Sequence, residues 1–510
     1  MTSTLFTGGR IIIPGGDHAS WVVVGGDTIA GVGTGEPPRT DRVVDMQGAT
    51  LVPAFRDAHA HLPATGLYRA GMNFRGERRA SAILDAFSER ASSGELLFGG
   101  NFEDPLDRSL TGSDLDRVVG DRPALLVRAD MHSLIASSAL MRQLDVSGLE
   151  GVDRADDGTL TGYLREEAAG VAYRWFDQNL PKEQQQAAVR SAIELAYSKG
   201  IAEVHEMHVV EWRGWEAWDT LADAISDVAL TVVPYIATSE VDRVIEMGFR
   251  RIGGDYFLDG SFGSHTAWMK EPFLSPPPEG SPACGIAYRS DDDLFEFFYE
   301  AQTKGLQVGV HAIGDAAIEQ ALVAWERVAS KVGTEEVWQR GHRIEHFECG
   351  SDDHIARSVA LGLTLSVQPA FDNYWGGPDG LYAERIGWDR ARNMNRFRSM
   401  HEAGLVMAAG SDSTVTSMDP FLQMHSLRDH HLPEERCDRE TALSMNTLGP
   451  VLAAGGPVDR GTIEVGLRAD LALCDRDPLE VDDAELLETE VVGTWCAGAR
   501  VWPLAEAETA

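Results

Sequence analysis

The chain has 510 residues, of which 43% are hydrophobic and 24% charged, a balance typical of a folded globular protein. Its 80 acidic residues against 44 basic ones give a formal net charge of −36. A surface this acidic repels nucleic acid and anionic membranes, which excludes both as main partners. The five cysteines show no CxxC spacing, so neither a disulfide framework nor a thiolate metal site is expected.

The first residues do not read as a signal peptide, because no basic region is followed there by an apolar core. No apolar run in the sequence reaches the 18 residues or so that a membrane-spanning helix needs. We therefore expect a cytoplasmic protein.

Residues 1–52 alternate short β-like runs with Gly, Pro and Asp turns, which predicts a small sheet. Residues 461–502, near the other end of the chain, show the same alternation of short β-like runs and turns. Because chain termini often lie close together, we predict that residues 1–52 and 456–510 form one composite β-sandwich domain.

Eight further strand candidates follow, most of them separated by helix-like segments such as 184–198 and 316–332. They are residues 51–57, 201–207, 230–236, 255–259, 307–312, 343–347, 363–368 and 406–411. This alternation predicts an α/β fold, a (β/α)8 TIM-like barrel over residues 53–455 with its active site at the carboxyl ends of the strands. The first connection, roughly residues 62–200, is too long for a crossover and predicts an α/β insertion after strand 1.

Histidine and aspartate residues stand at the ends of four of these strands. In Asp57-Ala-His-Ala-His61 the alternation of a strand places His59 and His61 on one face. His311, His346 and Asp412 close three later strands. Any one of them is more often a structural residue than a ligand, but together they indicate a metal site. Imidazole and carboxylate suit Zn²⁺ first, with Fe²⁺, Co²⁺ or Mn²⁺ as alternatives.

Ordered motifs resemble the amidohydrolase superfamily, and within it the branch that includes N-substituted formamide deformylases. They are PAFRDAHAH (53–61), DMHS (130–133), DGTLTGYLRE (157–166), DGSFGS (259–264), HAIGD (311–315), RIEH (343–346), VQP (367–369), GSD (410–412) and GLRADL (466–471). The resemblance covers nearly the whole chain. It implies that His59, His61 and Asp412 hold one divalent metal, and that His311 and His346 hold a second metal or share the first.

One position departs from the pattern of that family. Members with two metals bridge them with a carboxylated lysine four residues before an Asp-Gly pair, and here that residue is Asp255. None of the five lysines of the chain falls on this strand. Asp255 would reach the metals if Gly253 and Gly254 let the backbone move inward. Otherwise it is a structural acid, and the site holds one metal or has lost catalysis.

Asp412 is the expected general base, which takes a proton from water and returns it to the leaving nitrogen. His205 shares a strand face with Glu203. At the barrel mouth His205 would polarise the substrate carbonyl, whereas in the core it would only bind Glu203.

Further residues are expected to contact the substrate. His132 belongs to the insertion, and His265 stands where relatives often carry an arginine. Five aromatic residues follow barrel strands, namely Trp212, Trp215, Trp268, Tyr374 and Trp375. Of these we select Trp268 and Trp375 as walls for an apolar or aromatic substrate, although each could equally pack under a loop.

These features predict a metal-dependent amidohydrolase that cleaves a C–N bond in an amide, formamide, cyclic amide or carbamate. A deaminase of an amino-substituted ring is one alternative, although Ala312-Ile313-Gly314 offers no proton-donating Glu. A non-catalytic metal-binding relative is the other, favoured by the lost lysine and opposed by the retained histidines. The expected partner is a small-molecule substrate. The sequence leaves its identity, the metal count and assembly into a homo-oligomer open.

Overall fold

The computed structural model describes residues 2–15, 18–92, 97–277 and 281–503. The first strands are β1 (Ser3–Ile11), β2 (Ala19–Gly25), β3 (Thr28–Gly33), β4 (Arg42–Asp45), β5 (Thr50–Pro53) and β6 (Phe55–Ala60). Next come β7 (Met72–Asn73), β8 (Leu97–Phe102), β9 (Ala124–Arg128), β10 (Ser133–Ala136), β11 (Val152–Arg154) and β12 (Leu160–Arg165). Then follow β13 (Ile201–Val209), β14 (Thr231–Ala237), β15 (Arg251–Ile252), β16 (Gln307–Ala312), β17 (Arg343–His346), β18 (Thr364–Val367) and β19 (Val406–Ala409). The last are β20 (Leu471–Cys474), β21 (Val491–Cys496) and β22 (Ala499–Trp502).

The helices of the first half are α1 (Leu62–Ala70), α2 (Ala80–Arg90), α3 (Gly112–Val119), α4 (Ser138–Met141), α5 (Glu166–Asn179), α6 (Lys182–Ser198), α7 (Val210–Arg213), α8 (Trp215–Ile225) and α9 (Val241–Glu246). Those of the second half are α10 (Asp291–Thr303), α11 (Asp315–Val332), α12 (Thr334–Arg340), α13 (Asp352–Leu361), α14 (Pro369–Trp375), α15 (Leu381–Ile386), α16 (Trp388–Ala391), α17 (Phe397–Glu402), α18 (Pro420–Arg428), α19 (Arg439–Met445), α20 (Leu448–Ala453) and α21 (Asp483–Leu487). Within the described ranges, no helix combines the length and apolar character needed to cross a membrane.

One sheet combines strands from both ends of the chain. Its order is β22-β21-β20-β5-β1-β2-β3, and β4 pairs with β1. In the antiparallel pair of β20 and β5, Leu471 lies opposite Pro53. The buried guanidinium of Arg56 binds the Asp470 carboxylate at 3.0 Å. The tail motif that contains Asp470 thereby fixes the tail against the start of β6.

The core strands, β6 and β13 to β19, run parallel to the strands with which they pair. They form one sheet in the order β14-β13-β6 and another that runs from β15 to β19 in chain order. A parallel bridge between Ala60 and Ser413 joins the last residue of β6 to the chain that follows β19. Every residue of β6, β13, β16, β17 and β18 is buried, as expected for parallel strands covered on both faces, even though β6, β13 and β17 each carry several polar or charged side chains. The fold is therefore α/β and TIM-barrel-like, as predicted.

The fourth core strand is shorter and earlier than predicted. The prediction of a strand over 255–259 is wrong, because β15 covers only Arg251–Ile252. The chain then leaves the pleated conformation at Gly253 and Gly254, whose φ values are 86° and 76°. After that break only an isolated bridge between Phe257 and His311 continues the sheet. Asp255 thus lies on irregular backbone, where its side chain is free of the strand alternation.

The segment between β6 and β13 carries a sheet of its own, in the order β11-β12-β10-β9-β8-β7. Two residues beside it have left-handed backbone, Met131 with φ 60° in the turn after β9 and Glu166 with φ 51° at the start of α5. These tight turns bring His132 to the core strands, where its ring centroid lies 5.4 Å from that of His311.

Candidate metal centre

Four imidazoles surround the carboxylate of Asp255 where the core strands end. Oδ1 of Asp255 lies 3.4 Å from His59 Nε2, 3.7 Å from His311 Nδ1 and 3.7 Å from His346 Nε2. Its Oδ2 lies 3.2 Å from His61 Nε2. All four histidines predicted from strand ends therefore meet at one point, and Asp255 occupies the middle of the group.

Asp412, three residues after the end of β19, completes the group. Its Oδ1 lies 3.6 Å from His59 Nε2 and 3.2 Å from His61 Nε2. The backbone N–H of Asp412 donates to the His59 carbonyl at 2.7 Å, which fixes the carboxylate beside the first strand. His59, His61 and Asp412 form one triplet with ligand-atom spacing, and His59, Asp255 and His346 form another.

Each histidine uses its other ring nitrogen for a hydrogen bond to the surrounding protein. The partners are Glu345 Oε2 for His59 (3.0 Å), the Met207 carbonyl for His61 (2.9 Å), the Gly260 carbonyl for His311 (3.2 Å) and Gln368 Oε1 for His346 (2.7 Å). A ring that donates N–H to such a partner presents a lone pair on its opposite side. This is the arrangement by which proteins orient metal-ligating histidines.

The centre also leaves buried polar atoms unpaired. Among the described residues, His59 Nε2, His346 Nε2 and Asp255 Oδ1 are buried without a hydrogen bond. Unpaired buried polar atoms are rare in folded proteins because each one costs free energy. A divalent cation at this point would satisfy all three atoms, so the residues present fit a metal.

Two glycines explain how an aspartate reaches the position expected for a longer side chain. A Cβ at Gly253 would lie 2.0 Å from the Gly309 carbonyl oxygen, and one at Gly254 would lie 2.5 Å from the sulfur of Met207. The backbone at these positions is therefore pressed against the neighbouring strands. This close approach, which only glycine allows, carries Asp255 inward to the histidines.

A buried ion network lies beneath the histidines. Arg343 donates two hydrogen bonds to Glu345, at 2.8 and 2.6 Å, and Glu345 in turn binds His59. Burial raises the pKa of Glu345, but Arg343 and His59 outweigh it and bring that pKa to about 2. Glu345 is thus a carboxylate at neutral pH and holds the His59 ring in place.

His205 belongs to this network and not to the centre. Its Nδ1 accepts from Arg343 at 2.8 Å, and its Nε2 binds Glu203 at 3.2 Å. Burial lowers the pKa of His205 to about 4, so the ring is neutral. The prediction of a catalytic His205 is therefore wrong, because both ring nitrogens form hydrogen bonds inside the core and His205 lines neither of the two cavities at the centre. The position matches the alternative, a core histidine bound to Glu203.

Two cavities open on the centre. The first, which we name the aromatic cavity, has an empty volume of about 770 Å³ and is walled by Tyr68, Phe98, Tyr173, Phe176, Trp212 and Phe257. The other, which we name the second cavity, has an empty volume of about 470 Å³ and is lined by Glu103, Arg128, Glu348, Phe371, Trp375 and Tyr382. Both volumes include the open mouth of the cavity.

The expected substrate contacts divide into two groups. His132 lines both cavities, and Trp375 lines the second. His265 and Trp268 line neither of them. The His265 ring binds the Ser275 hydroxyl at 2.9 Å, and the backbone of Trp268 is tied to Asp259. These two residues shape the loop after β15, and the structure does not bring them to the centre.

Three acidic residues near the centre had no assigned role in the sequence. Glu345 orients His59, Glu166 accepts from His132 Nδ1 at 2.8 Å, and Glu348 lines the second cavity. Arg343 and Glu345 alternate on the buried strand β17, and charges spaced in this way on a buried strand are a signal for a paired network. The sequence gives no such signal for Glu166, because its hydrogen bond with His132 depends on the tertiary fold of the insertion.

We expect Glu345→Gln to weaken metal binding by about 10- to 100-fold, because residues that orient ligating histidines typically contribute that much. Competitive titration with a chromophoric chelator measures the dissociation constant. Glu326→Gln is the matched control, since Glu326 is an exposed carboxylate on α11. Equal metal affinity in wild-type and Glu345→Gln protein, both folded by circular dichroism, would contradict the positioning role.

Comparisons with known proteins agree with this geometry. A sequence model described as the amidohydrolase family matches residues 42–502. A Bacillus subtilis protein named as an amidohydrolase, YtcJ, is 26% identical, and the alignment covers 96% of each chain. The N-substituted formamide deformylase of Arthrobacter pascens is 26% identical over 94% of each chain. An uncharacterized metal-dependent hydrolase from Pyrococcus furiosus has a similar structure, with a TM-score of 0.72, 25% identity and coverage of 94% of this chain and 100% of that one.

Proposed function

Since this chain belongs to the amidohydrolase family and is a hydrolase of carbon–nitrogen bonds, we propose that it cleaves an amide, formamide, cyclic amide or carbamate with an apolar or aromatic substituent. The observation that carries the proposal is the ring of four histidines around Asp255, with Asp412 beside it and an aromatic cavity in front. Such a constellation can hold a divalent metal, for which Zn²⁺ is our first candidate.

His59, His61, His311, His346, Asp255 and Asp412 would hold the metal. When bound, a divalent metal would lower the pKa of a water to about 7 and polarise the substrate carbonyl. Asp412 lines both cavities, so its carboxylate can take a proton from water and deliver it to the leaving nitrogen. His132, held by Glu166, lies where the cavities meet and would position the substrate.

The finer architecture of the fold is part of the same proposal. We propose that the eight core strands close into a complete barrel, which the Ala60–Ser413 bridge supports. The mixed sheet of both termini would be a β-sandwich domain, and the insertion with its six-stranded sheet would cover the barrel mouth. In that arrangement the insertion supplies His132 and much of the aromatic cavity.

A substrate screen tests the proposal. The full chain, loaded in turn with Zn²⁺, Co²⁺ or Mn²⁺, is incubated with aromatic formamides, amides, lactams, carbamates and amino-substituted heterocycles. We expect hydrolysis of at least one of the first four classes, detected by mass spectrometry. The products are amine and acid from formamides and amides, the ring-opened amino acid from lactams, and amine, alcohol and CO₂ from carbamates. Release of ammonia from heterocycles without cleavage of any amide would contradict the proposal and favour a deaminase.

A further inference from the structure

The two cavities share one floor. Both are lined by the same six residues, which are Asp130, His132, His311, His346, Asp412 and Val415. Four of these residues belong to the centre or contact it, so the reacting bond would lie where the cavities meet. A substrate placed there has room for a substituent on each side of that bond.

The aromatic cavity fits an apolar substituent. Trp212 and Phe257 stack with their ring centroids 4.6 Å apart, and Phe98 and Phe176 lie 5.3 Å apart. Aromatic walls of this kind bury apolar groups, and their edges and faces suit a ring.

The second cavity combines apolar walls with buried charges. Phe371 and Trp375 line it edge to face, 5.0 Å apart. Arg128 is already paired with Asp130 at 2.6 Å, and Glu103 is paired with Arg78 at 3.2 Å and also accepts from the Trp375 indole at 3.2 Å. These charges are therefore neutralised within the protein and leave little for a ligand to bind.

Glu348 is the exception in the second cavity. The residue is only 3% exposed, and its Oε2 has no hydrogen bond among the described residues, although the Tyr382 hydroxyl lies beside the carboxyl. Burial raises the pKa of that carboxyl, and the Tyr382 hydroxyl lowers it in part. A buried acceptor without a partner costs free energy, which a ligand N–H or O–H group in the cavity would recover. The cavity is thus shaped for a substituent that is apolar along its length and carries a hydrogen-bond donor.

We propose that the substrate has two arms, an apolar or aromatic arm in the aromatic cavity and an arm with an N–H or O–H donor in the second cavity. This inference rests on the proposed C–N hydrolysis. It excludes a simple formamide as the preferred substrate, because hydrogen on the carbonyl carbon leaves one cavity unfilled. The substrate class is accordingly an N-substituted amide with a sizeable group on both sides of the scissile bond.

Two substrate series test the proposal whichever way the substrate lies. In one, an N-benzyl amide carries a formyl, acetyl, butanoyl or 3-hydroxypropanoyl group. In the other, phenylacetamide is unsubstituted on nitrogen or carries a propyl or 2-hydroxyethyl group. In whichever series matches the orientation of the bound substrate, we expect kcat/KM to rise at least about tenfold from the smallest to the hydroxylated member. Each buried methylene changes the rate roughly 10-fold or more. The hydroxylated member should exceed its apolar isostere about 3- to 10-fold.

Cavity-filling variants locate the second arm. Leu381→Trp narrows the second cavity, and Leu67→Trp, its matched control, narrows the aromatic cavity. We expect Leu381→Trp to lower kcat/KM for the hydroxylated amide about tenfold relative to the one-armed compound of the same series. Leu67→Trp should lower both alike, because both carry the aromatic arm. In Glu348→Leu the preference for hydroxyl over methyl should disappear while metal content stays unchanged.

The outcomes separate the two proposals. If the smallest member is the best substrate in both series, or Leu381→Trp and Leu67→Trp change selectivity alike, the two-armed substrate is overturned while amide hydrolysis stands. If metal-loaded protein cleaves no member of either series and none of the screened C–N substrates, the proposed function itself fails. A retained hydroxyl preference in Glu348→Leu would overturn the assignment of the donor arm.

Discussion

Asp412→Asn is expected to lower kcat by about 10²- to 10⁴-fold while the chain stays folded, since loss of a proton-transfer group typically has that effect. The amide of Asn keeps the size of the side chain but cannot take up the proton of water. A further loss follows if the weaker ligand also lowers metal occupancy, so metal content must be measured on the same sample. Steady-state kinetics with a substrate from the screen provides the rate.

The control for this variant is Asp353→Asn, which changes an exposed carboxylate in the first turn of α13. It should keep wild-type kcat and metal content. An Asp412→Asn protein with full metal occupancy and near wild-type turnover would remove Asp412 as the general base.

Asp255→Ala is expected to lose metal and at least about 10² in rate, because it removes the carboxylate that all four histidines face. Activity of the wild-type protein should not respond to added bicarbonate, since the bridging position is already an acid and needs no carboxylation. Metal analysis after gel filtration and initial rates with and without bicarbonate measure both effects.

Asp255→Lys supplies the complementary test. A lysine at this position that gains a second metal only with bicarbonate would indicate that the geometry of two-metal relatives persists around the histidines. If Asp255→Ala instead keeps its metal stoichiometry and loses only thermal stability, Asp255 is a structural acid and the site depends on His59, His61 and Asp412.

The meeting of these side chains could be predicted because parallel strands bring their carboxyl ends to one place. His59, His61, His311, His346 and Asp412 are far apart in the chain, yet each ends an apolar run of strand length. Once the runs pack as parallel neighbours, their last side chains have to lie together. His59 lies near the end of β6 and His61 directly follows it, so a spacing of two residues lets both rings face the same way.

The remaining features depend on contacts that local pattern does not specify. His205 and Glu203 also alternate on a strand, but they lie nearer its start, so they face the interior network and not the mouth. Residues 255–259 have a high propensity for strand, but the fourth strand ends before them. The backbone at Gly253 and Gly254 packs closely against neighbouring strands, and this contact overrides the local propensity. His132 and its partner Glu166 come from the insertion, and only its tertiary fold brings them to the barrel.

Asp57 illustrates the same limit. Alternation along a strand would place it on one face with His59 and His61. Its carboxylate instead accepts from the backbone N–H groups of Ser411 at 2.9 Å and His59 at 3.2 Å. It therefore ties the first core strand to the last, and burial raises the pKa of this carboxyl to about 6.

Metal content of the purified protein tests the central claim most directly. Protein isolated without chelators, or dialysed against excess Zn²⁺ and then passed through a desalting column, is analysed by inductively coupled plasma mass spectrometry. We expect about one or two equivalents of a divalent transition metal per chain, because an N/O site of this kind binds such ions tightly. Less than about 0.3 equivalents, with no uptake on addition of Zn²⁺, Co²⁺, Mn²⁺ or Fe²⁺, would contradict the account.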